Sequence, residues 1–235
     1  ADPARTPVPV VVEVGERKTQ RTMLGVGYST DEGARGLFGY EHRNLLGRGW
    51  QLESGLLLQS VRRRAFASVR TPQKSIGHYY QAGVRVERLD VQGELTDKQT
   101  VFVGEGKHAE DTESFVSLQY QVEKRELPLL AGVDRRSALT LGYAWNRRRL
   151  DSPIDPRSGY SISAQVSGAA RGLGSDRSFA RLYTRLMRFW PMPKASALDD
   201  GLLIGMVEAG YVLANSRDDI PSENLFRAGG TQSLR

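Results

Sequence analysis

The chain has 235 residues, no cysteine and a formal net charge of +6. Its length admits one large domain or two small ones, and the missing cysteines exclude disulfides and thiolate metal sites without fixing a compartment. No apolar run reaches the ~20 residues of a membrane helix, so a mean hydropathy of -0.44 argues against helical spans but says nothing of β-barrels, whose strands face lipid with only every second residue.

Arginine is spread along the whole sequence rather than gathered in one block, which argues against nucleic-acid binding. Ala1 to Pro9 lacks the apolar core of a signal peptide, so any export signal is expected upstream of Ala1. Val10-Val11-Val12 and Glu13-Val14 read as one strand, ending at Gly15-Glu16-Arg17-Lys18. This segment, residues 1–19, is expected to be the last strand of a preceding domain and a linker.

From Thr22 onward the pattern is strict alternation. Trp50, Leu52, Leu56 and Leu58 alternate with Gln51, Glu53 and Gln59; Tyr80, Ala82, Val84 and Val86 alternate with Gln81, Gly83, Arg85 and Glu87. Three later segments repeat it, on Val116 to Val122, Leu139 to Trp145 and Tyr160 to Val166. Period two means strand, with one apolar and one wet face. The breaks carry turn residues: Asp31-Glu32-Gly33, Leu46 to Gly49, Thr71-Pro72, Asp151 to Gly159, Gly172 to Ser175 and Pro191-Met192-Pro193. About eleven strands are expected between Thr22 and Ala214, many near the ~9–11 residues of a tilted membrane strand. Short connections make the sheet an antiparallel meander.

Two all-β architectures carry this pattern. A soluble sandwich or lipocalin-like barrel turns the apolar face inward, whereas a membrane barrel turns it outward around a polar lumen. Aromatic residues toward the ends of apolar faces (Tyr80, Tyr120, Trp145, Tyr160, Tyr211) suit interfacial girdles. Glycines inside strands (Gly25, Gly27, Gly39, Gly55, Gly205, Gly210) suit strands that bend around a barrel. In the membrane reading Arg85, Glu87, Glu123 and Glu208 face the lumen as a mixed polar network, because a basic side chain at mid-depth toward lipid costs ~2–4 kcal/mol.

Catalytic and metal signatures are missing. His42, His78 and His108 lack metal-ligand spacing. Gly104-Glu105-Gly106-Lys107 resembles a phosphate loop only loosely: the earlier glycine is missing, His108 replaces Ser or Thr, and the segment sits between strand patterns. No Gly-x-Ser-x-Gly elbow occurs. The expectation is a non-enzymatic protein without metal or cofactor.

The stretch from Val10 through Leu52 resembles the junction between the last polypeptide-transport-associated (POTRA) domain and the first barrel strands of TamA-type proteins, members of the BamA/TamA outer-membrane assembly superfamily. The matching residues are Val10 to Val14, Glu16-Arg17, and Gly25-Val26-Gly27-Tyr28 followed by Ser29-Thr30-Asp31. At the other end Pro221 to Arg235 resembles the start of that superfamily's inward-folded sixth loop, through Phe226, Gly229, Gly230 and Arg235. Asp155-Pro156-Arg157-Ser158-Gly159 resembles a turn common in these barrels.

The resemblance implies a transmembrane barrel over 20–235, with about eleven of about sixteen strands present, in a truncated chain that does not fold alone. It implies that Arg235 anchors the sixth loop in the lumen by pairing with a carboxylate on later strands, with Gly229 and Gly230 permitting its tight path. The first strand, with Gly25, Gly27 and Tyr28, would form a lateral seam that opens sideways. The implied function is insertion or translocation of β-barrel and autotransporter clients in the bacterial outer membrane. Its partners would be unfolded clients, a TamB-like periplasmic protein and outer-membrane lipids. The alternatives are a two-partner secretion translocator and a passive porin-like barrel.

Overall fold

The computed structural model describes residues 18–30, 33–74, 77–91, 93–127, 132–192 and 201–214. Eleven strands occur there: β1 (Gln20–Ser29), β2 (Gly33–Leu45), β3 (Trp50–Gln59), β4 (Arg62–Arg70), β5 (His78–Val91), β6 (Glu94–His108), β7 (Thr112–Leu127), β8 (Gly132–Leu150), β9 (Gly159–Ala169), β10 (Phe179–Pro191) and β11 (Leu202–Ala214). Among the described residues there is no helix. Each strand pairs antiparallel with its chain neighbours in one sheet, ordered from β1 to β11. The meander follows from the turns: connections this short can only return a strand antiparallel beside its predecessor.

Register shows how the sheet divides its residues. One cross-strand row runs Thr22, Tyr40, Ser54, Ala67, Val84, Val101, Tyr120 and Leu139 from β1 to β8. The next row, one residue along, runs Met23, Gly39, Gly55, Phe66, Arg85, Thr100, Gln121 and Ala138. Successive side chains point to opposite faces, so the rows lie on opposite sides. In the first row Val101 is 54% exposed; in the second Gln121 is 1% exposed. No second layer of secondary structure among the described residues covers either face. The sheet therefore encloses its polar face by curling toward it and turns its aliphatic face out.

This separates the two architectures that alternation left open. A water-soluble sandwich would bury Val84, Val101, Leu118 and Leu141, yet all four are exposed. The buried apolar residues among those described are only Tyr79, Ala138, Phe179 and Phe189. At about 1.5–3 kcal/mol for each large apolar side chain removed from water, so small a core cannot hold a sheet of this size in aqueous solvent. An apolar solvent on the outward face removes that deficit.

Two expectations need correcting. Strands β1, β3, β4 and β9 have 10, 10, 9 and 11 residues, as expected, but β5 to β8 have 14, 15, 16 and 19, longer than the ~9–11 that cross a bilayer, because charged residues extend the ladders past the apolar band. Gly104-Glu105-Gly106-Lys107 does not sit between strands: it lies inside β6, where all four residues pair with β5. Ladder pairing uses the backbone amides that a phosphate loop would offer to an anion.

The β8–β9 connection shows how a turn is fixed. Asp151 Oδ1 accepts hydrogen bonds from the backbone N–H groups of Ser152, Arg157 and Ser158, each at 3.0 Å. The chain re-enters the sheet at Gly159, with φ of 115°, where an added Cβ would lie 2.1 Å from the Arg149 carbonyl oxygen. Only glycine fits there.

Candidate functional site

The enclosed polar face carries a charge network whose densest part lies on β4 to β8. Glu123 is 1% exposed and receives a hydrogen bond from Arg125 Nη2 at 3.1 Å, with Lys98 Nζ at 3.9 Å. Arg125 also reaches Glu94 with Nε at 2.8 Å. Glu87 pairs with Arg62 at 3.1 Å and lies cross-strand from Lys98. Lys98 thus stands between Glu87 on β5 and Glu123 on β7. A buried carboxylate is tolerable only when cations and hydrogen bonds replace its water, and β6 and β7 supply both.

Of the other residues expected on this face, Glu208 sits on β11, away from that cluster, where Arg185 and the Tyr183 hydroxyl contact it. Arg85 shares the face, between Phe66 and Thr100, but makes no ion pair among the described residues. Sequence reasoning missed Arg62, Lys98, Arg125 and Arg185. Parity along each strand would have put them on the polar face, and Arg125 beside Glu123 two residues away on β7; the cross-strand partners follow only from register.

Aromatic rings on the same face lie over glycines of adjoining strands. A Cβ on Gly83 would fall 2.6 Å from Phe102, on Gly104 2.4 Å from Phe115, and on Gly106 2.1 Å from Tyr79. The Tyr79 ring is itself sandwiched, with Arg70 3.6 Å from its centroid and its hydroxyl donating to Glu113 at 3.2 Å. These glycines are seats for rings that lie flat, which keeps bulk out of the enclosed space.

β1 differs. Gly25 and Gly27 lie on its polar face, opposite Leu37 and Arg35 of β2. Leu24, Val26 and Tyr28 line its other face, and Val26 is 96% exposed. It is one of the two edge strands of the sheet among the described residues, β11 being the other. Phe226, Gly229, Gly230 and Arg235 of the expected loop, and the Val10 to Val14 strand, fall outside the described residues.

Two carboxylates outside the strands have altered acidity. Hydrogen bonds from Arg149 and Thr112, helped by Arg147, hold the Asp111 carboxyl well below the usual carboxylate range. Asp151 is lowered by the backbone N–H groups it accepts from, that of Ser158 first. Both fix hairpins at the same end of the sheet, which opposes the β5–β6 and β7–β8 turns.

The Omp85 superfamily domain matches residues 19–235. The chain belongs to the Omp85 superfamily. Its fold is similar to that of BamA from Haemophilus ducreyi in a crystal structure lacking POTRA domains 1–3, with a TM-score of 0.75, 19% identity, and coverage of 94% of this chain and 46% of that one. The Omp85 chain thus spans under half the length of the BamA chain it matches. What the two share is the antiparallel barrel meander.

Proposed function

We propose that this Omp85 chain carries barrel strands of a TamA-like assembly factor, which inserts or translocates β-barrel and autotransporter clients at the bacterial outer membrane. The observation that carries this reading is the contrast at β1: a strand with an outward apolar face and glycines at 25 and 27 on its other face, lying at the edge of a wall that is knitted by ion pairs further in. Such an edge can accept a client strand by main-chain hydrogen bonding, with side-chain preference left loose. Glycine at 25 and 27 weakens strand pairing and makes a seam that opens at low cost.

In this proposal Arg235 anchors the sixth loop in the lumen, with Phe226, Gly229 and Gly230 shaping its path. Arg85, Glu87, Glu123 and Glu208 line the lumen as a wall network rather than as client contacts. Upstream POTRA domains and a TamB-like periplasmic partner deliver the unfolded client.

The chain itself has no cysteine, so within it an introduced cysteine has no native competitor. In the full-length protein, a disulfide from position 26 on β1 to the strand that closes onto it abolishes client insertion, and reduction restores it. Undiminished insertion with the cross-link complete refutes the seam. A client that is exported as a soluble filament, with no β-barrel client inserted, identifies a secretion translocator instead.

A further inference from the structure

One row on the outward face breaks the aliphatic pattern. Beyond Ala65, Val86, Gln99 and Val122, the next outward residues on β4 to β8 are Arg63, Arg88, Asp97, Lys124 and Arg135, paired in register across the five strands. Each lies two residues, roughly 7 Å of strand, past the edge of the aliphatic band. Arg88 is neutralised by a bidentate contact to Asp97, at 2.6 and 2.8 Å, and Lys124 by Glu126 at 2.8 Å. Arg63 and Arg135 have no ion-pair or hydrogen-bond partner among the described residues, so the row ends in an unpaired guanidinium on each side.

The same residues rim a groove of about 600 Å³ that takes in the aliphatic Leu56, Ala65, Val86 and Val122, together with Arg64, Glu87 and Lys98 from the alternate positions of β4 to β6. An aliphatic wall topped by unpaired guanidinium groups has the polarity of one kind of occupant, a molecule with acyl chains below and anionic oxygens above. Guanidinium groups match phosphate oxygens in a bidentate manner. We infer that this groove binds a phosphate-bearing membrane lipid, its phosphates on Arg63 and Arg135 and its acyl chains on the aliphatic wall. The inference rests on the membrane reading of the outward face. If β1 starts at the periplasmic side, as the Omp85 reading has it, the lipid belongs to the outer leaflet.

The test uses the full-length protein in phosphatidylcholine vesicles with or without diphosphoryl lipid A, reading lipid copies retained after extraction by native mass spectrometry. Protease protection reports membrane integration separately. Wild type is expected to retain lipid A, and Arg63→Gln/Arg135→Gln to retain about tenfold less while integrating normally. Lys107→Gln, which removes a cation from the same face at the opposite end, is expected to retain lipid A as wild type does. Equal retention by the double variant overturns the site. So does occupancy by inorganic phosphate, in lipid-free micelles, as tight as that of lipid A. Failure to integrate into any vesicle sinks the membrane reading, and the lipid site with it, by a separate readout.

Discussion

Strands β5 to β8 and strand β1 are built on the same two-residue alternation but spend their polar face differently. In the first region that face holds buried Glu123, Gln121 and Thr100, with half-buried Lys98 and Arg125 ion-paired to Glu123 and the rings of Phe102, Phe115 and Tyr79 pressed onto glycines. In β1 it holds Met23, Gly25 and Gly27, and the strand has 10 residues against 16 in β7. The lesson concerns where a barrel wall is fastened. Both regions present aliphatics outward, so the apolar face does not distinguish them; cross-strand contacts on the enclosed face do. Local stability should follow those contacts, high through β5 to β8 and low at β1.

The sharpest way to break that comparison is at the buried carboxylate. Glu123→Ala leaves Lys98 and Arg125 without their shared partner, and loss of one member of a buried pair costs roughly 3–5 kcal/mol. Urea unfolding of the refolded full-length protein should show a loss of that order; a loss under about 1 kcal/mol would mean water already reaches the site. Next in size, Val101→Arg places a cation in the middle of the outward band, at a cost of about 2–4 kcal/mol in a bilayer. A change near zero would show that position 101 does not meet hydrocarbon.

A matched pair of glycine substitutions sharpens the contrast directly. Gly104→Val drives its Cβ into Phe115 and the Val116 carbonyl oxygen, at 2.4 and 2.6 Å, and should destabilise by about 1–3 kcal/mol. At Gly25 an added Cβ meets only Leu37, at 3.4 Å, so Gly25→Val should change stability by no more than about 0.5 kcal/mol. It should nonetheless slow client insertion, because a β-branched residue strengthens strand pairing at the seam. Equal stability losses at the two sites would erase the distinction between wall and edge.

The smallest effect concerns pH. Asp151 has a lowered folded pKa, so its contribution is complete above the ordinary carboxylate range and is lost as pH falls through the lowered value. Amide exchange at Arg157 and Ser158 should therefore accelerate only on acidification below that range, and Asp151→Asn should show the faster exchange already at neutral pH. An unchanged acid profile in the variant would remove Asp151 as the clasp of this loop.

Much of this architecture could be read from the residues. Hydrocarbon and water make opposite demands on neighbouring side chains, and Tyr80 to Glu87 or Val116 to Glu123 record those demands one residue at a time. That pattern gave the eleven strands, and the faces of Arg85, Glu87, Glu123 and Glu208. It did not give partners. Arg125 joins Glu94 to Glu123 because β6 and β7 pair in one particular register, and no local pattern encodes that register. Nor did it give the meaning of the glycines: Gly55 looked like a bend, whereas it is a recess that the Phe66 ring of the neighbouring strand fills, at 2.5 Å from where a Cβ would stand. The cationic row from Arg63 to Arg135 stayed hidden for the same reason, since its members are scattered over 73 positions of chain and meet only across the ladder.

The central claim is that hydrocarbon lies against the aliphatic rows and water against the rows between. Single cysteines at Val101, Phe102, Val103, Leu118, Gln119 and Tyr120, each carrying a fluorophore in the reconstituted full-length protein, test it most directly through quenching by brominated lipid. The account predicts strong quenching at 101, 103, 118 and 120 and little at 102 and 119. Quenching confined to 102 and 119, or absent at all six positions, would contradict it.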